Sequence, residues 1–387
     1  MNVTVRREPE PGERRVAATP DSVRHLVSAG LGVTIQKGAG NAAGYFDAEY
    51  VAAGATIVPS IDLAKCEVLL HVRPLSIADV RKLPKTAITV GLASPASNIS
   101  VVDELRKRGV TSFALELVPR ISRAQSMDAL TSQALVSGYR CVLEAAIRLP
   151  RFFPLYMTAA GTIPPASVVV LGAGVAGLQA IATAKRLGAK VSAYDVRAAS
   201  ADEVRSMGGT FITLELETAD GAGGYATELA ADRAQRQQDL LAPYLAQADV
   251  IITTAAIPGR PAPRLVTKSM LAGMRPGSVI VDLAAESGGN VEGSKPGEDV
   301  EIRLTAGGSV TLVGMKDAPS TMAYDASRLY ARNVSNLIAL MTVDGRVQPD
   351  FTDEVVDGAC LTRDGTVNHA PTLAALEAEP TPKKAAN

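Results

Sequence analysis

The chain has 387 residues, 39 Lys and Arg against 40 Asp and Glu, and its formal net charge of −1 gives no electrostatic reason to expect nucleic acid or an anionic membrane surface as partner. Two domains are expected at this length, and aromatics at 4% with no Trp leave little material for base-stacking platforms. Cys66, Cys141 and Cys360 form no C-x-x-C pair, which argues against a disulfide framework or a structural zinc. The N-terminus lacks an apolar signal core and no apolar run is long enough to span a bilayer, so the reading is a cytosolic chain whose link to a membrane would run through a partner.

In chain order, Val3 to Arg6 reads as a short strand. Thr19 to Gly30 reads as a helix with Thr19 at the N-cap, Pro20 at the first helical position and Gly30 closing it. Val33 to Gln36, Glu67 to His71, Thr89 to Leu92 and Thr111 to Leu117 are further strand candidates, giving the first 120 or so residues an α/β pattern without a glycine fingerprint. A long helix is expected from Ser126 to about Pro150. Six apolar strands follow, at Ser167 to Leu171, Lys190 to Tyr194, Thr210 to Thr213, Val250 to Thr254, Ser278 to Leu283 and Ser309 to Val313, the pattern of a doubly wound sheet with ligand at the strands' carboxyl ends. A helix from Ala323 to Met341 should carry the chain back to the first domain, and Leu373 to Asn387 reads as a flexible tail. The fold class is therefore α/β with two Rossmann-like domains and a cleft between them. Residues 1–135 plus 325–387 form the discontinuous domain and 136–324 the dinucleotide-binding one.

The segment 168–195 carries the most information. An all-apolar strand leads into Gly172-Ala-Gly174-Val-Ala-Gly177, a helical pattern free of Gly and Pro follows, and Asp195 lies 195 − 172 = 23 residues beyond the first glycine. Gly172 permits the tight turn, Gly174 lets backbone N–H groups approach a pyrophosphate, and Gly177 lets the helix pack closely on the sheet, with the helix N-terminus facing the phosphates. An acid ending the second strand accepts hydrogen bonds from a ribose and repels a 2′-phosphate, which favours NAD(H), although Arg197 could instead meet that phosphate.

Two polar stretches are candidates for chemistry. Residues 119–131 gather Arg120, Arg123, Gln125, Asp128 and Thr131 ahead of the long helix. Ser126 as N-cap and Asp128 in the first turn account for part of that density, leaving Arg120 and Gln125 without a structural reason. Residues 217–228 are glycine-rich around Tyr225 and read equally as a lid or as a plain insertion. His25, His71 and His369 are isolated, and no H-E-x-x-H, G-x-S-x-G or Walker sequence occurs. Hydride transfer between two nicotinamides moves no proton to or from a substrate, so it suits a chain poor in acid–base groups.

Residues 120–128, Met157 to Pro165, 172–189, 223–226, Thr253 to Pro263, Val281 to Asn290 and Thr362 to Gly365 together resemble the NAD(H)-binding domain I of proton-translocating nicotinamide nucleotide transhydrogenases, over nearly the whole chain to about residue 370. The resemblance implies hydride transfer between NAD(H) here and NADP(H) on a separate domain III, coupled to proton movement through a membrane domain II. It further implies a homodimer and a peripheral position at the cytoplasmic face of the plasma membrane. By the same resemblance, Arg120, Gln125 and Asp128 orient the dihydronicotinamide, with Gln125 bridging toward the partner's ring, and Thr131 stands where the family has a serine. Tyr225 matches the tyrosine of a mobile loop and Asp195 the ribose-binding acid. The expected cofactor-binding set is Gly172, Gly174, Val175, Ala176, Gly177, Asp195, Arg197, Tyr225, Thr254 and Ala255, with no metal.

Alanine dehydrogenases share the expected fold. Arg15 is similar to their substrate-binding arginine, but their catalytic lysine falls near Arg73 and their histidine falls within Val90 to Ala93, which has none. Deamination without its general base is implausible. A non-catalytic NAD sensor would need Gly172 to Gly177 and Asp195 but would gain nothing from Gln125 and Tyr225.

Overall fold

Short runs of β-branched and aliphatic residues, too short for helices, build two mainly parallel sheets. The computed structural model describes residues 1–215, 231–256, 260–304 and 307–378, and the chain divides into two compact units, 1–133 with 320–387 and 134–319. The division falls within the helix Ala129–Arg148.

The first unit holds an eight-stranded sheet. Its spatial order is Thr366–Val367, Cys360–Arg363, Thr111–Ala114, Ile88–Gly91, Val68–Leu70, Asn2–Val5, Gly32–Gln36 and Thr56–Val58. Six strands are parallel and the hairpin 360–367 adds antiparallel beside Thr111–Ala114. Pro20–Ser28 is a helix, and its Ser22 Oγ accepts from the Thr19 N–H at 2.9 Å. Val334, Leu337 and Ile338 of the helix Ala323–Leu340 join Val23 and Leu26 in the core of this unit.

The second unit holds a seven-stranded sheet in the order Thr210–Phe211, Lys190–Tyr194, Ser167–Leu171, Val250–Thr253, Val279–Asp282, Ser309–Gly314 and Asp299–Arg303. The central strand Ser167–Leu171 pairs Val169 with Ser192 on one side and Ile251 on the other, in parallel. Fully buried apolar strands are what a sheet covered on both faces requires, and Val168, Val170, Ile251 and Ile280 are 0% exposed. Asp299–Arg303 runs antiparallel at the edge, and its alternating exposure fits an edge strand.

Several expectations are corrected. The helix expected from Ser126 begins at Ala129, after a 3-10 stretch Ser122–Met127. Its cap is Asp128, whose Oδ1 accepts from the Thr131 N–H at 2.8 Å, rather than Ser126. Thr111 to Leu117 is strand only to Ala114 and turns into a 3-10 segment from Leu115, and the strand at Thr210 stops at Phe211. The helix Ala370–Ala378 takes in the start of the expected tail, residues 373–378.

Candidate dinucleotide site

The strand order reverses at Ser167–Leu171, with the second strand on one side and the fourth on the other, and that reversal opens a crevice at the carboxyl ends. The chain leaves the strand through Gly172 at φ +99°, where a side chain would meet Thr254 Oγ1. Thr254 ties the two strand ends together: its N–H donates to the Leu171 carbonyl at 2.9 Å and its hydroxyl to the Gly172 carbonyl at 3.0 Å. A Cβ on Gly177 would run into that same carbonyl, so glycine is required for the helix Val175–Arg186 to seat on the turn. Gly138 of the helix Ala129–Arg148 packs with equal closeness on the Ala176 carbonyl.

Gly174 differs from these. A Cβ there meets nothing within 4 Å, and Gly174 and Val175 are exposed at the head of the helix. The first N–H groups of a helix have no partners within it. Open space in front of those donors fits a pyrophosphate, and a side chain at Gly174 would fill it.

Asp195 follows the second strand with its side chain 7% exposed. Oδ1 accepts from Arg197 N–H and Nε, both at 2.9 Å, and Oδ2 accepts from Ala173 N–H at 2.7 Å and Arg197 Nη2 at 3.1 Å. Those four bonds use the carboxylate's acceptor positions. A ribose diol can reach them only by displacing the Arg197 guanidinium, a coupling of Asp195 and Arg197 that sequence reasoning treated as two competing signals. Ala255 follows Thr254, and its carbonyl accepts from Asn290 Nδ2 at 2.8 Å. The structure thus gathers Gly172, Gly174, Val175, Ala176, Gly177, Asp195, Arg197, Thr254 and Ala255 in the second unit. Tyr225 and the whole 217–228 stretch lie outside the described residues.

Arg120, Gln125, Asp128 and Thr131 belong to the first unit. Arg120 and Gln125 are exposed, whereas Asp128 Oδ2 accepts from the Thr131 hydroxyl at 2.6 Å, so those two side chains hold each other at the helix start. Arg123 clips the stretch to Asp353 through two bonds of 2.8 Å, one to each oxygen.

Elsewhere in the first unit, a buried charge cluster sits at the carboxyl side of the sheet. Arg15 is bound by Glu13 through Nε at 2.9 Å and Nη2 at 2.6 Å, and its Nη1 donates to Gln133 Oε1 at 2.9 Å. Arg73 Nε lies 2.9 Å from the same Glu13 carboxylate. Glu8 accepts from the Val72 and Arg73 N–H groups, yet burial pushes its carboxyl up to about 7. His71 is buried against Gly91, and burial lowers its imidazole to about 4. Sequence reasoning named Arg15, Arg73 and His71 but took His71 as isolated and did not join them, because nothing local marks Glu8 or Glu13 as buried.

Strand order, glycine turn and terminal acid define a doubly wound protein of the dinucleotide-binding class. Family models match accordingly, the alanine dehydrogenase/PNT N-terminal domain over residues 4–137 and the C-terminal domain over 141–370. The chain belongs to the alanine dehydrogenase/PNT family. It is 44% identical over 382 residues to an NAD(P) transhydrogenase subunit alpha polypeptide of Rhodospirillum rubrum, covering 95% of this chain and 98% of that one. Against alanine dehydrogenase of Mycobacterium tuberculosis the identity is 33% over 301 residues, 76% of each chain. Among solved structures, a transhydrogenase from Sinorhizobium meliloti matches at TM-score 0.83 and 41% identity over 96% of this chain and 100% of that one. An L-alanine dehydrogenase matches at TM-score 0.81 and 25% identity, over 97% and 99%.

Proposed function

We propose that this chain is the NAD(H)-binding subunit of a proton-translocating transhydrogenase. The observation that carries the reading is similarity along almost the whole of both chains to a transhydrogenase subunit, closer and longer than to the alanine dehydrogenase. NAD(H) is then a substrate, held by the glycine turn with its adenosine ribose at Asp195. A hydride leaves C4 of the dihydronicotinamide for C4 of NADP+ on a partner subunit. One ring gains the positive charge that the other loses, and no proton is exchanged with a side chain. Gln125 and Arg120 orient the reacting ring, and Asp128 with Thr131 fixes the loop that presents them. The chain works as a homodimer with a membrane domain II and an NADP(H)-binding domain III, peripherally at the inner face of the plasma membrane. No helix among the described residues is long and apolar enough to cross a membrane.

The first unit supports this over amino-acid oxidation. Oxidative deamination needs a group that takes up a proton. The residue where an alanine dehydrogenase would have its lysine is Arg73, a guanidinium that keeps its charge and lies against Glu13. His71 is buried and neutral.

The direct experiment mixes the purified chain with a transhydrogenase domain III and follows reduction of an NAD analogue by NADH in the presence of NADP(H). Turnover in the mixture is expected. No turnover there, with alanine-dependent reduction of NAD by the chain alone, reverses the assignment. Within the reaction, Gln125→Asn is expected to slow hydride transfer on the order of tenfold or more while leaving the NADH dissociation constant within about twofold, the signature of an interaction made in the transition state.

A further inference from the structure

Two stretches that mark the family resemblance, 253–263 and 281–290, have no role so far beyond Thr254 and Ala255, yet their described residues are bonded to one another. The Ala262 N–H donates to the Ser287 carbonyl at 2.8 Å, and the N–H groups of Leu265 and Val266 both donate to the Asn290 carbonyl, at 2.8 and 3.0 Å. Asp282, 0% exposed at the end of its strand, accepts from the Thr253 hydroxyl at 3.0 Å and from the N–H groups of Asn290 and Val291 at 3.3 and 3.2 Å. Gly289, at φ +79°, is forced by the same carboxylate, since a Cβ there would come within 2.8 Å of Asp282 Oδ2.

Asn290 is 0% exposed, and its Nδ2 donates to the Ala255 and Pro263 carbonyls, each at 2.8 Å. One amide therefore ties Ala255 to Pro263. Its orientation follows from the chemistry, because turning the amide over would aim Oδ1 at two carbonyl oxygens. Oδ1 is buried and has no partner among the described residues, so the two bonds to carbonyls are what the side chain supplies there. Ala255 is also the wall of the glycine turn, for a Cβ on Gly172 would lie 3.1 Å from the Ala255 nitrogen.

We propose that Asn290 is a positioning residue of the dinucleotide site, holding the Ala255 peptide against the glycine turn so that this wall of the crevice at the strands' carboxyl ends stays where the dinucleotide needs it. The proposal rests on reading that crevice as the NAD(H) site. Asn290→Asp tests it with almost no change of shape. An ionised carboxylate there has no donor and faces two carbonyl oxygens, whereas the protonated acid regains one O–H donor, and burial between carbonyls raises its pKa.

NADH affinity of Asn290→Asp, followed by fluorescence titration of the full chain, is expected to fall about tenfold at pH 8 and to recover most of that loss at pH 6, with wild type unchanged between them. Turnover at saturating NADH with domain III stays within about twofold of wild type, placing the effect in binding. Asn290→Ala, which cannot titrate, shows the loss at both pH values and carries the test if the aspartate variant does not fold. Wild-type affinity in both variants at pH 8 overturns the proposal, as does weak binding by a folded Asn290→Asp that fails to recover at pH 6. If the wild-type chain does not bind NADH, the site assignment itself falls, a result distinct from either.

Discussion

In each sheet the first strand lies between the second and the fourth, so Asn2–Val5 and Ser167–Leu171 both mark the place where strand order reverses. The two strands lead into different chemistry. After Leu171 come glycines that leave the helix N-terminus facing open space. After Val5 come Arg6, Arg7 and Glu8, with Arg6 paired to Asp79 at 2.9 Å and Glu8 on the backbone N–H groups of Val72 and Arg73. The first unit thus meets backbone donors at this end of its sheet with its own carboxylate, whereas the second leaves the space before the helix Val175–Arg186 open. Winding alone does not make a nucleotide site, and the few residues after the first strand decide it.

This contrast can be broken by mutation. The largest effect is expected where the first unit is self-satisfied: Glu13→Ala leaves Arg15 buried without its carboxylate and costs about 3–5 kcal/mol, read from urea denaturation. A loss under about 1 kcal/mol would make the cluster a solvated pair of the kind that contributes little. In the second unit two glycines should separate fit from function. Gly177→Ala forces the helix off the turn and lowers stability by about 1–3 kcal/mol. Gly174→Ala keeps the wild-type denaturation curve but weakens NADH binding on the order of tenfold, about 1.4 kcal/mol. Equal stability losses in the two variants would erase the distinction between a packing glycine and a ligand-facing one.

A pH series sharpens the same contrast. Glu8 has a folded pKa of about 7, above its ordinary 4.5, so its stabilising contribution is full below pH 4.5 and is lost as pH rises through 7. His71, at about 4 against an ordinary 6.5, contributes fully above pH 6.5 and loses that contribution as pH falls through 4. Glu8→Gln should therefore gain on wild type by roughly 2–3 kcal/mol between pH 5 and pH 8 in denaturation free energy, with almost no further gain above. The smallest effect belongs to Arg197→Ala. Freeing Asp195 from a partly exposed partner should tighten NADH binding by no more than about fivefold, since such pairs contribute up to about 1 kcal/mol. Weaker NADH binding would instead assign Arg197 to the ligand.

The second unit's core was legible because its evidence is local. Four apolar residues, three glycines at fixed spacing and an acid 23 residues beyond Gly172 sit in one continuous stretch. Elements that depend on distant partners were not legible. Cys360–Arg363 is a strand because Cys360 lies opposite Phe113, and Asp299–Arg303, in the sequence Asp-Val-Glu-Ile-Arg, lacks the apolar run that marks its neighbours. The polar stretch 120–131 was legible as unusual but not in its parts. Asp128 and Thr131 bond to each other and Arg123 to Asp353, contacts across three and 230 positions that composition cannot tell from solvated charge. Asn290 escaped for the same reason, since its two carbonyl partners are 35 and 27 residues away.

The hairpin that completes the first sheet has a consequence during synthesis. Translation delivers residues 134–319 as one uninterrupted unit, whereas the strand Thr111–Ala114 waits for Cys360–Arg363, made some 250 residues later, before its outer edge is paired. The unit begun first is the last that can be finished, and in the interval a bare strand edge stands beside Phe113, the kind of surface through which growing chains pair with one another. Slowing release of the last segment from the ribosome should therefore raise aggregation through the first unit while the second folds undisturbed.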